Sequence, residues 1–587
     1  MSGVRPPDVS TIGPNGYAGW IVAESLDRIT QALVNEFVKS QNLEHLAGAE
    51  QFERFANYCV VSSEHSDTFD VEEISGPGDE VGIDGIAVVA NGSLVTNPDE
   101  IVGLVDQNRY LEVTFVFVQA KRSPAFSEAA IGNFGFAVTD FFGDANLPRT
   151  DFIDRYLEIK EAIYENSPRF SRGLPRLHLY YVTSGRWDEP DVVLERIRRE
   201  EEVLTTSGLF GSVRLGPIGA GELQALYLRT KNPIASEFTL GQRVTLPEIT
   251  GVREAYLGVV PAAEYLRLIV DEGGQIRKGL FTDNVRDFQG DNEINRQIAE
   301  TLNSDARERF AVLNNGVTIV ARELRTTADK VYIEDYQIVN GGQTSHVLFQ
   351  ERDALTDRVF IPIKVISTED EALTTAVITA TNSQTPVKTE ELNARAEFER
   401  RLERFFETYD GPRALHYERR SKQYSENTDI EKVRIITRQQ LVRAFAAMFR
   451  DEPHRATGYV PGLMGQLGEQ IFKDEHALDP YYASAFAHYK LEFFWRNQQL
   501  TAESKPGRWQ ILMAARHLAV GRQVGPLNSK EAIRNANKLS EVLWLEKDAV
   551  ALFEEAIVVV ARATSGTWER DHMRNEPTTQ DVLRALP

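Results

Sequence analysis

The run LEVTFVFVQAK at 111–121 limits the fold more than any other stretch of the chain. β-Branched and aromatic residues fill it, it is apolar enough to be the central strand of a sheet, and it ends on the polar Gln119 and Lys121. Upstream, IDGIAVVA at 83–90 reads as a strand leading into Asn91-Gly92, a hairpin-turn signal, and RLHLYYVTSG at 176–185 reads as a further strand. Apolar residues at helical spacing predict helices over 20–39 (Ile21, Leu26, Ile29, Leu33, Phe37), 49–61, 127–142, 151–165 and 189–206. This alternation predicts an α/β domain over residues 1–230, closed by the turn-rich KNPIASEFTLGQRVTLPEIT.

Residues 231–460 mix short strands (VLNNGVTIVAREL, VYIEDYQIVNGG, VFIPIKVIS) with helices expected at 290–303 and 388–408, which predicts an α+β domain. From 461 to 587 strand signals fade and a helical region is expected. A chain of 587 residues with 42 % hydrophobic and 26 % charged residues is long enough for several cores and is not composed like a disordered one. Its single cysteine, Cys59, allows no internal disulfide and no CxxC metal knuckle. No apolar run approaches the ~20 residues that span a bilayer, and the N-terminus has no signal-like apolar segment. The expectation is a soluble cytoplasmic protein with no membrane partner. A net charge of −22 argues against coating nucleic acid over the whole surface and confines any such contact to a local cleft.

Residues two apart on a strand share a face, so Gln119 and Lys121 project together. If 83–90 pairs antiparallel with 111–121, Asp84 comes to lie beside both. A carboxylate and an amide oxygen can supply two ligands to a hard divalent cation, Mg²⁺ or Mn²⁺, while Lys121 helps to orient or deprotonate an attacking water and offsets developing charge. Together with FERF at 52–55 and GIDGIAV at 82–88, VQAKRS at 118–123 resembles the PD-(D/E)xK nuclease fold, in particular its Mrr-like restriction branch, where Gln replaces an acidic residue. The resemblance implies a restriction-endonuclease-like domain in which Asp84 and Gln119 are metal ligands, Lys121 is the catalytic lysine, and Glu53 is the additional acidic residue that some members carry. Glu50 stands near enough in sequence to take the same role.

Between 281 and 424, FTDNVRDF, RFAVLNNGVTIVA, QIVNGGQTSHVLF, TATNSQTPVKTEELNAR and LHYERRSKQY place amides and glycines at strand ends, where backbone N–H groups suit phosphates or base edges. In this order the phrases resemble the AIPR family, named for abortive infection and phage resistance, over roughly 255–425. That implies a bacterial anti-phage defence protein. The candidate nucleic-acid or ligand contacts are Arg286, Asn315, Asn340, Gln343, Asn382 and Gln384. His346, in SHVLF, is expected as a buried helix histidine. From 412 to 455 there are ten basic and six acidic residues, and Arg419, Arg420 and Lys422 lie between Tyr417 and Tyr424, a mixture of cations and aromatic faces used on phosphate or single-stranded ligands.

The chain has no GxxxxGK[ST] and no HExxH, so a P-loop motor and a zinc hydrolase are not expected. The expected function is a metal-dependent nuclease, DNA favoured over RNA, controlled by the AIPR region and by a phage-derived trigger or an accessory defence protein, with a homo-oligomer possible through the helical part. The competing readings are a non-catalytic sensor with a degenerate nuclease fold, and nucleotide chemistry in the AIPR region itself.

Overall fold

The computed structural model describes residues 26–587 except 79–81, 145, 232–233, 272–273, 282–292, 371–372, 375, 378–379, 381–396, 421, 426, 428, 459–462 and 464–469. The first body is built on a five-stranded mixed sheet of order β2-β1-β3-β4-β5. Its strands are β1 (Gly85–Ala90), β2 (Ser93–Val95), β3 (Val113–Lys121), β4 (Arg176–Thr183) and β5 (Ser212–Ile218). β1 pairs antiparallel with β2 through a two-residue turn in which Asn91 and Gly92 both take positive φ, the conformation that an Asn-Gly hairpin favours. β1 also pairs antiparallel with β3, whereas β3, β4 and β5 run parallel.

β3 is central, as its composition requires, and its two faces feed two cores. Phe115 and Phe117 pack into a core with α3 (Pro98–Asn108), α4 (Glu128–Phe142), α5 (Asp151–Glu165) and α6 (Asp191–Thr206). Val116, Val118 and Ala120 pack on the opposite side against α1 (Arg28–Gln41), α2 (Gly48–Glu64) and α7 (Ala220–Thr230). Local sequence sets the helix starts. Asp27, Asn97, Ser127 and Thr150 accept hydrogen bonds from first-turn amides of α1, α3, α4 and α5, and Pro98 occupies the start of α3, where its missing N–H costs nothing.

The second body carries a six-stranded sheet, order β6-β10-β9-β11-β8-β7. The strands are β6 (Ala235–Thr239), β7 (Gln242–Thr245), β8 (Glu254–Pro261), β9 (Val317–Thr327), β10 (Lys330–Asn340) and β11 (Phe360–Ser367). α8 (Ala262–Ile269), α9 (Glu293–Asn303), α10 (Phe310–Leu313) and α11 (Gly342–Gln350) accompany it. The remaining core is helical, with two short parallel strands at His416–Glu418 and Ile435–Thr437. It is continuous from Phe398 to Leu586, so the helical packing reaches well before residue 461. Helices Arg438–Phe449, Asp479–Arg496, Arg508–Val520, Lys530–Trp544 and Glu546–Ala563 form it. No helix among the described residues is long and apolar enough to cross a membrane.

The helical body meets the first body through ion pairs of one polarity. Arg496 pairs with Asp70 at 3.1 Å, Arg508 with Glu73 at 3.4 Å, Arg574 with Asp99 at 2.9 Å, Arg570 with Asp99 and Glu158 at 3.4 and 3.5 Å, and Arg443 with Glu100. In each of these pairs the guanidinium is on the helical side and the carboxylate on the sheet side.

Candidate functional site

The β1–β3 register ends with Gly85 opposite Val118, and Asp84, just before it, donates its backbone N–H to the Val118 carbonyl at 2.9 Å. Gln119 and Lys121 share the strand parity of Phe115 and Phe117, which fill the α3–α6 core. Of the three expected residues, Asp84 and Lys121 are in contact. Asp84 Oδ2 accepts the Ala120 backbone N–H at 2.7 Å and lies 3.5 Å from Lys121 Nζ. The aspartate side chain is 10 % exposed and the lysine 39 %, so the ammonium group keeps access to solvent at the rim.

Glu53, on α2, lies near enough to Asp84 and Lys121 for their charges to act on its carboxyl. Burial first and the Asp84 charge second push its carboxyl up to about 7, while Lys121 pulls the other way. Glu50 is used differently: its carboxylate accepts the Ala47 backbone N–H at 3.0 Å and closes the start of α2. The structure thus separates two glutamates that sequence left equivalent. Asn57, one turn after Glu53 on the same helix, donates to the Asp84 carbonyl at 2.8 Å and to Ser75 Oγ at 3.0 Å, and so anchors the strand entry. Sequence reading passed over Asn57, although its i+4 spacing from Glu53 marks a shared helix face.

Whether these residues suit a divalent cation can be tested on their own geometry. Gln119 is 4 % exposed and its Oε1 has no hydrogen-bond partner among the described residues, an unmet acceptor of the kind a cation would engage. Burial first, and the Asp84 charge second, raise the Glu53 carboxyl, and a cation held by both would offset that charge. The donor set is all oxygen, as Mg²⁺ or Mn²⁺ prefers. The set fits. With only two carboxylates it is smaller than a cluster of three acidic, His or Cys groups, and no such larger cluster occurs among the described residues.

In the second body the two glycine turns meet. Gly316 (φ +78°) precedes β9 and Gly341 (φ +92°) follows β10, and a Cβ at Gly341 would fall 3.0 Å from the Gly316 carbonyl oxygen. Asn340 ends β10 opposite Thr318, Gln343 lies in the first turn of α11, and Asn315 is exposed at the turn before β9. These three residues gather at one end of the sheet. It is Asn314, not Asn315, that holds the turn, accepting the Gly316 N–H at 3.0 Å and bonding Thr344. Arg286, Asn382 and Gln384 lie outside the described residues.

The basic turn is used in part internally. Tyr417 is fully buried against Phe406, with ring centroids 5.8 Å apart, so its ring is core and not a stacking platform. Arg419 Nε donates to Glu403 at 3.1 Å. Arg419 and Arg420 nevertheless line a cavity of about 360 Å³ together with Gly342 and His346 of α11. His346 is half-buried on this wall rather than in the core, its ring 5.0 Å from Phe281. Lys422 borders an adjoining cavity of about 90 Å³, and burial lowers its ammonium from the usual lysine range.

No curated protein and no solved structure matches this chain. The model of the AIPR protein family matches residues 281–559, beginning later than the sequence phrases suggested and running on through most of the helical core that starts at Phe398. The match covers just under half of the chain, spanning the glycine turns, the basic turn and the helices that pack on it.

Proposed function

We propose that the protein is a bacterial anti-phage defence protein of the abortive-infection type, in which the first body is a metal-dependent nuclease under the control of the AIPR region. The family match supports the defence role. The observation that carries the hydrolytic reading is the 3.5 Å contact of Asp84 with Lys121, next to a buried Gln119 whose amide oxygen has no partner among the described residues and with Glu53 near enough for their charges to act on it. The mixed sheet with helices on both faces supports the likeness to PD-(D/E)xK nucleases.

Asp84, Gln119 and Glu53 would hold Mg²⁺ or Mn²⁺, which when bound supplies Lewis acidity to a scissile phosphodiester. The Ala120 amide fixes one Asp84 oxygen and so orients the other. Lys121, at the solvent rim, places a positive charge where a phosphate would gain negative charge, and its ammonium can orient the attacking water. The neutral Gln119 lowers ligand charge relative to a carboxylate, and this specific feature favours the second reading, a nuclease-like body that senses nucleic acid without cutting it.

Cleavage assays separate the two. Full-length protein is incubated with plasmid, linear and single-stranded DNA and with RNA, in Mg²⁺, Mn²⁺ or EDTA, alone and with lysate from phage-infected cells. Metal-dependent loss of substrate that Lys121→Ala abolishes supports the nuclease. Equal behaviour of wild type and Lys121→Ala in every condition removes it.

A further inference from the structure

The cavity of about 360 Å³ lies where all three bodies meet: Asp67 and Glu73 come from the first, Gly342 and His346 from the second, Arg420 and Trp509 from the helical one. Its volume falls within the ~300–1,000 Å³ typical of small-ligand sites and is far too small for a duplex. Five arginines line it, at 419, 420, 438, 443 and 508. Arg443 and Arg508 are matched by carboxylates of the cavity wall itself, Glu100 for the first and Glu492 and Glu73 for the second. Arg419 and Arg438 instead pair behind the wall, with Glu403 and Glu399, and Arg420 Nε is buried with no hydrogen-bond partner among the described residues.

The acidic residues of the wall are largely spoken for. Asp70 pairs with Arg496, and Glu418, hydrogen-bonded by Thr68, is pushed up by burial to about 7 and is therefore half neutral near physiological pH. Gly342 brings the start of α11 to the same wall, and no side-chain cap holds that helix end among the described residues. Guanidinium forks and an uncapped helix start together favour phosphate oxygens. Two aromatic pairs border the space, His488 stacked on Trp509 with centroids 5.5 Å apart and His346 against Phe281, flat surfaces suited to a base.

We propose that this junction cavity binds a nucleoside phosphate, its phosphates on Arg419, Arg420 and Arg438 and its base among the ring pairs, with Asp67 and Glu418 accepting from base or sugar. Because the walls belong to different bodies, and because a phosphate competes with Glu100 and Glu73 for Arg443 and Arg508, occupancy alters how the helical body grips the first body. That regulatory consequence rests on the nuclease reading; the binding itself does not.

The test is equilibrium binding to the full chain, in EDTA so that cleavage plays no part, using ATP, GTP, AMP, adenosine and inorganic phosphate as probes. Saturable binding of at least one nucleotide is expected, weakened by roughly tenfold or more in Arg420→Ala through loss of a charge-assisted contact. Gln439→Glu, which adds a carboxylate at an exposed wall position, is expected to weaken it independently. Adenosine and phosphate alone should bind far more weakly. The proposal is overturned if no nucleotide binds by ~1 mM, if both variants bind as wild type does, or if inorganic phosphate alone binds as tightly.

Discussion

Asp84 and Lys121 stand 3.5 Å apart at the ends of two antiparallel strands, and the amide of the intervening Ala120 donates to the same aspartate oxygen at 2.7 Å. The carboxylate is thus held chiefly by backbone, and the lysine is an addition at the rim. The consequence is that the lysine can be removed with little structural cost. A partly exposed ion pair is worth about 1 kcal/mol or less, so Lys121→Ala should keep its denaturation midpoint close to wild type while losing ~10²-fold or more in cleavage rate. Parallel thermal melts and cleavage time courses check both halves.

Gln119 offers a sharper test of the cation. Gln119→Glu adds a buried carboxylate next to Ala120, whose amide holds Asp84, with the Glu53 carboxyl already raised by burial and by the Asp84 charge. Without metal the variant should be less stable than wild type at pH 8. With Mg²⁺ or Mn²⁺ its melting temperature should rise more than that of wild type, since each tenfold gain in affinity adds ~1.4 kcal/mol at saturating metal. Identical metal responses would show that residue 119 does not contact the ion.

Gly341 makes a backbone demand that other residues meet poorly. At φ +92° a Cβ there would lie 2.8 Å from Val317 Cγ2 and 3.0 Å from the Gly316 oxygen. Gly341→Ala should therefore cost roughly 1–3 kcal/mol or more, measured by urea denaturation, and should disturb the turn from which α11 starts.

Glu418 supplies a pH signature. Its carboxyl sits near 7 in the folded chain against a reference of 4.5, because burial outweighs the Thr68 hydrogen bond and Lys432. Between those two values the folded protein holds a proton that the unfolded chain has released, so this group makes wild-type stability fall as pH rises from about 4.5 to about 7. Glu418→Gln removes the ionisation. Its stability relative to wild type should increase across that window and level off above it, by on the order of 3 kcal/mol at most, at 1.36 kcal/mol per pKa unit. Denaturation at pH 5 and pH 8 reads the difference.

The first body was legible in sequence because its decisive relations are local or periodic. VTFVFV demanded a central strand, Asn91-Gly92 set a two-residue turn, and the antiparallel pairing of β1 with β3 brought Asp84 to Lys121. Amphipathic spacing located α2 and α4 to α6 to within a few residues. The glycine turns were legible as turns, but that they touch one another follows from the β9–β10 pairing.

What only the folded chain decided are the relations between residues far apart in sequence, for which no local rule exists. Glu50 and Glu53 look alike until one closes a helix end and the other meets Asp84. Tyr417 resembles a stacking platform until Phe406 covers it, and Arg419 an unpaired cation until Glu403 accepts from its Nε. The junction cavity exists because three separately packed cores come together there, and some of the ion pairs that line it, such as Glu100 with Arg443 and Glu73 with Arg508, join residues more than three hundred positions apart. Sequence periodicity determines which way a side chain points from its own strand or helix; what waits opposite it is settled by long-range packing.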